Sequence, residues 1–177
     1  MAGSSPRKRK VLSESSTDGI LHRLPEHCEY VPASRNSKQD FNQLSRRRYN
    51  VLRHTDSCAA QFVQFYYKTF DENRGGLQAL YRPQSMLTFE SNAVQGTEGI
   101  MERLTNLPFQ KVVHQVATLD SQPASEDGAI LVLVTGALLV DEEGRPMSYT
   151  QVFTLRPDDN GSYFVFNDVF RLVYPAA

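Results

Sequence analysis

The chain contains no tryptophan, only 2 cysteines and only 4 histidines among its 177 residues. Each shortage excludes something. Cys28 and Cys58 lie in unlike settings, one in a basic segment and one at the start of an apolar-periodic region. They make a poor disulfide framework, which fits a reducing compartment. Paired cysteines at metal spacing, a glycine-rich phosphate loop and a nucleophile elbow are all missing, so neither a cofactor nor a metal is expected. No apolar run approaches the roughly 20 residues of a membrane span, and the basic start is not followed by the apolar core of a signal peptide.

Charge is present but unevenly placed. The net charge of -1 conceals 11 Lys+Arg against 5 Asp+Glu in residues 1–55, and 8 against 15 in residues 56–177. The basic part holds only 3 of the 18 aromatics, too few for a core. These shifts divide the chain into a disordered basic extension, 1–55, and a folded domain, 56–177. Within the extension Arg7, Lys8, Arg9 and Lys10 resemble a short nuclear import signal, against the alternative of a solvated basic tail. Arg46, Arg47 and Arg48 could touch phosphates, but without interleaved aromatics nucleic acid is an unlikely partner.

The folded part begins with helical spacing. Asp56 or Ser57 can cap a helix whose stripe is Cys58, Phe62, Phe65, Tyr66 and Phe70. A short turn follows at Leu77, Leu80 and Tyr81, then a strand at Met86 to Phe89 that ends in Glu90. Thr97 is a plausible cap for a second helix carrying Ile100, Leu104 and Leu107, with Pro108 as its stop. Thereafter the period changes to two. Val112, His114, Val116 and Thr118 share one parity, Ile130 to Val140 is almost wholly apolar, and Met147, Tyr149, Phe153 and Leu155 alternate. The last strand places Phe164, Phe166, Phe170, Leu172 and Tyr174 on one parity.

Helices followed by a run of strands predict an α+β fold, with a strongly curved antiparallel sheet around the helices and an apolar pocket at its open end. The last strand is apolar on its other parity too, at Tyr163, Val165, Val169 and Val173. Both of its faces need cover, and a two-fold homodimer is the simplest closure. Two sites compete. Asp168 on a core parity and His114 on a strand could form an acid–base pair, as in a dehydratase or isomerase of a small ligand. Alternatively, Glu90 and the turn Asp141-Glu142-Glu143 could ring an apolar hole that accepts a partner's aromatic flanked by Lys or Arg.

Four motifs then become recognisable: Phe65-Tyr66-Tyr67, Leu87-Thr88-Phe89-Glu90, Leu107-Pro108-Phe109-Gln110-Lys111, and Phe166-Asn167-Asp168-Val169-Phe170-Arg171-Leu172. In these the chain closely resembles the nuclear transport factor two family, its fungal members above all, over roughly Ser57 to Ala177. The resemblance implies a cone-shaped fold, a homodimer and no catalytic activity. It also implies two partners, the small GTPase Ran in its GDP form and the phenylalanine-glycine repeats of nucleoporins. The location implied is cytoplasm and nucleus, concentrated at the nuclear pore. By the same resemblance Glu90, Asp141 and Glu143 form the acidic rim for Ran, and Phe89, Leu107, Val112, Val169 and Phe170 line the pocket. Phe89 stands where other members carry a tryptophan. Thr55 stands where some carry an aromatic for the nucleoporin repeats, and no site is assigned to those repeats.

Overall fold

The computed structural model describes residues 41–141 and 144–174, with side chains from Asn50 onward. The import-like Arg7 to Lys10, Cys28, the side chains of Arg46 to Arg48, and Glu143 lie outside the described residues.

Helix α1 spans Phe41–Glu72. It is followed by a 3-10 helix at Arg74–Leu80 and strands β1 (Met86–Phe89) and β2 (Asn92–Gln95). Helix α2 (Thr97–Thr105) precedes β3 (Val112–Pro123), β4 (Ile130–Val140), β5 (Met147–Pro157) and β6 (Tyr163–Leu172). The six strands form one curved sheet in the order β2-β1-β6-β5-β4-β3. The helices fill its concave side, and the apolar stripe of α1 supplies much of the core. Phe62 and Tyr66, each 1% exposed, meet Phe153 edge-on at centroid distances of 4.9 and 4.8 Å.

Several local expectations hold and several change. The meander β3 to β6 is antiparallel, but β1 pairs with β6 in parallel, so the sheet is mixed. The chain between those two strands is long enough for that crossover, which local periodicity does not reveal. Helix α1 starts at Phe41 and runs through the expected boundary, so neither Asp56 nor Ser57 caps it. Asp56 instead accepts a hydrogen bond from the Ser121 hydroxyl at 2.6 Å, tying the helix to β3. Gly96, with φ 85°, precedes α2 in place of a capping Thr97 side chain.

The single parity expected along β6 is broken by a bulge. Leu155 pairs with Val165 and Thr154 with Asn167, which leaves Phe166 without a register partner. One extra residue exchanges the two faces. Tyr163 and Val165 are therefore buried before the bulge, and Asp168 and Phe170 after it, while Tyr174 is 71% exposed. Val169 and Val173 turn outward with Val113, Leu131 and Leu133, all 38–50% exposed. The outer face of the sheet thus carries a row of apolar side chains among the described residues.

Candidate functional site

At the open end of the sheet lies a cavity of about 360 Å³. Its walls come from three places. The β1 and β6 strands contribute Phe89, Phe170 and Leu172, the segment after α2 contributes Pro108, Phe109 and Val112, and the β4–β5 hairpin contributes Val140, Asp141 and Met147. Parallel pairing sets Phe89 beside Phe170, and their rings stack at 4.6 Å with an interplanar angle of 7°. Such offset aromatic contacts add stability beyond their buried area. On Phe89 the Arg103 guanidinium, from α2, lies over the ring at 5.6 Å.

Asp141 lines this cavity, whereas Glu90 does not but directly follows the lining residue Phe89; both acids sit on unusual backbone. Glu90 opens the two-residue turn between β1 and β2 with φ 59°, and Asp141 follows β4 with φ 48°. Left-handed backbone ordinarily favours glycine and costs a branched or bulky residue about a kcal/mol or more. Both acids are pinned by the chain. Glu90 accepts the Leu172 amide at 2.6 Å, its own amide donates to the Phe170 carbonyl at 3.0 Å, and Arg171 pairs with its carboxylate at 3.5 Å. The Asp141 carboxylate accepts the amides of Gln110 and Lys111 at 3.1 and 2.9 Å.

The expected pocket residues divide. Phe89, Val112 and Phe170 line the cavity. Leu107 does not; it is 5% exposed within the core. Val169 does not either, because it alternates with the inward-facing Phe170 and points outward, 44% exposed. Sequence reasoning missed Leu104, Phe109 and Leu138, which also line it. The helical stripe marks Leu104 as inward-facing, but not as a cavity residue, and the almost wholly apolar run Ile130–Val140 has no alternation to mark Leu138 at all.

The floor is polar. Asp168 is fully buried and does not meet His114. Its Oδ2 accepts the hydroxyls of Tyr81 at 2.7 Å and Tyr66 at 3.0 Å, and its Oδ1 accepts Gln151 Nε2 at 2.7 Å. Tyr67 in turn donates to Gln151 Oε1 at 3.0 Å. Burial pushes the Asp168 carboxyl up to about 6, opposed by these donors from Gln151, Tyr81 and Tyr66. Burial likewise raises both tyrosine hydroxyls well above their ordinary value, so they stay protonated donors.

His114 has a different partner, Asp71 at the end of α1. Its Nδ1 lies 2.6 Å from Asp71 Oδ1, and its amide donates to Oδ2 at 3.0 Å. Its ring stacks on Tyr67 at 4.6 Å. The acid–base pair His114–Asp168 is therefore not formed. Each member is consumed in joining a helix to the sheet, and a carboxylate with three donors is a structural acceptor, not a proton shuttle. Among the described residues no group of three His, Cys, Asp or Glu could hold a metal ion, and no helix is long and apolar enough to cross a membrane.

Comparison with known proteins bears on this geometry. The family model described as the nuclear transport factor 2 (NTF2) domain matches residues 58–172. The chain is 70% identical over 120 residues to "Nuclear transport factor 2" of Emericella nidulans, covering 68% of this chain and 96% of that one. It is 62% identical over 122 residues to the protein of that name from Davidiella tassiana, covering 69% and 97%. Among solved structures, nuclear transport factor 2 from Cryptosporidium parvum aligns with a TM-score of 0.64 and 43% identity, over 67% of this chain and 94% of that one. With identity this high across nearly the full length of such relatives, the chain belongs to the nuclear transport factor 2 family, and its role is nuclear transport, not catalysis.

Proposed function

We propose that the chain is a transport adaptor that carries the small GTPase Ran, in its GDP form, into the nucleus. One observation carries this reading: an apolar cavity walled by stacked Phe89 and Phe170 lies beside Glu90 and Asp141, two acids held in left-handed backbone. A hollow of this kind suits a protruding aromatic flanked by basic residues. Burial of the ring supplies affinity, and the acids steer and orient the encounter. Glu143, two residues after Asp141 in the sequence, would extend the acidic rim.

The adaptor acts as a homodimer through the apolar outer face of the sheet. It passes the nuclear pore by binding phenylalanine-glycine repeats, moving between cytoplasm and nucleus and concentrating at the pore. Arg7, Lys8, Arg9 and Lys10 are a candidate import signal of their own.

Replacing Glu90 with Lys reverses one rim charge but also removes the acceptor of the Leu172 amide. Glu90→Gln, which keeps an acceptor there, serves as the control that separates charge from packing. The expected outcome is at least about a tenfold weaker pull-down of Ran-GDP with the oligomeric state unchanged. Co-elution in size exclusion with Ran-GDP and not with Ran-GTP is expected for the unaltered chain. Equal binding by Glu90→Lys and the unaltered chain would remove the rim from the mechanism.

A further inference from the structure

A cation that a purely acidic rim does not account for packs on two rings of the cavity wall. Arg74, the first residue of the 3-10 helix after α1, reaches the segment Phe109-Gln110-Lys111 that forms one wall. Its Nη1 donates to the Phe109 carbonyl at 3.0 Å, and its Nη2 reaches the Gln110 carbonyl at 3.5 Å. Its guanidinium lies over the Phe109 ring at 4.6 Å and the Phe70 ring at 5.3 Å, and both rings line the cavity. Asp141 grips the same segment through its amides. Its Oδ1 accepts from Gln110 and Lys111, and its own amide donates to the Lys111 carbonyl at 2.8 Å. Five backbone polar groups in three consecutive residues are thus engaged by one arginine and one aspartate. The charges of Asp141 and Asp71 both act on Arg74, countering the effect of its burial.

We infer that Arg74 and Asp141 form a clamp that fixes the Phe109 wall before the partner arrives, so that Arg74 is a positioning residue for docking although it has the wrong charge to attract a basic partner. The planar fork is suited to two neighbouring carbonyls and an aromatic face together, which an ammonium group is not. A wall already ordered in the free protein spares the complex the entropy of ordering it on binding.

This inference rests on the docking role proposed above, and its test separates the two. If the rim acted by charge alone, neutralising Arg74 would make the mouth more negative and speed association with a basic partner. The clamp predicts weaker binding instead, through faster dissociation. Arg74→Gln in the full chain should raise the dissociation rate of Ran-GDP about 5- to 20-fold, with little change in association. Arg74→Lys, which keeps the charge and loses the fork, should dissociate nearly as fast as Arg74→Gln. Without Ran, the Gln110 and Lys111 amides should exchange with solvent roughly tenfold faster in both variants.

Tighter binding by Arg74→Gln, full rescue by Arg74→Lys, or unchanged exchange at Gln110 and Lys111 would each overturn the clamp. Failure of the unaltered chain to bind Ran-GDP would instead refute the docking role. The exchange measurement would then still decide whether the wall is clamped.

Discussion

Tyr81→Phe removes one oxygen atom from the core and should reveal the charge state of Asp168. Tyr81 is 2% exposed, and its hydroxyl donates to the Asp168 carboxylate at 2.7 Å. With that carboxyl titrating at about 6, Asp168 is largely ionised at neutral pH and neutral in mild acid. A hydrogen bond to a buried charge contributes about 2 kcal/mol, and one to a neutral acceptor about 1. The variant should therefore be about 2 kcal/mol less stable than the unaltered protein near pH 7.5, and only about 1 kcal/mol less stable near pH 5. The sign of the underlying pH dependence follows from the raised value. The folded state binds this proton more tightly than the unfolded state. The associated stability is complete below the ordinary carboxyl value of 3.8 and is lost as pH rises through about 6. That loss is about 3 kcal/mol for the unaltered protein. Removing a donor raises the folded value further and extends the loss to higher pH. Urea unfolding at one protein concentration, at both pH values, measures all of this. An equal deficit at the two pH values, or none at either, would refute an ionised, three-donor Asp168.

Other perturbations probe the sheet. Leu133→Glu places a charge in the middle of the outer apolar row, where Leu133 is 38% exposed. Sedimentation should then show a monomer in place of a dimer, and an unchanged dimer would put the interface elsewhere. Gly136→Ala adds a carbon that collides with the Gln115 backbone oxygen and the Tyr149 ring. With rigid backbone on one side, the expected cost is about 3 kcal/mol, read from denaturant unfolding, and a loss within error would mean that β3 yields there.

Much of this architecture was legible in the residues themselves. The alternation around Val112 to Thr118 and Met147 to Leu155 and the helical stripe from Cys58 to Phe70 mark strands and a helix, because side-chain direction follows from backbone geometry. The four-residue strand β2 carries no such mark. The acids Glu90 and Asp141 were likewise visible as charges at the ends of apolar strands. Their left-handed backbone was not, since φ depends on how the flanking strands are joined.

What the sequence by itself determined is therefore local: most element types, the apolar stripe of α1, the uneven charge, and motifs specific enough to indicate the family. What only the tertiary structure decided is which distant groups meet. The parallel pairing of β1 with β6 set Phe89 on Phe170. The bulge at Phe166 turned Tyr163 and Val165 inward against the single parity expected of β6. Packing of α1 on the sheet gave His114 to Asp71 and Asp168 to two tyrosines and Gln151. Each outcome turns on the shape of the closed core, in which a one-residue shift exchanges inside and outside, and no periodicity along the chain encodes that.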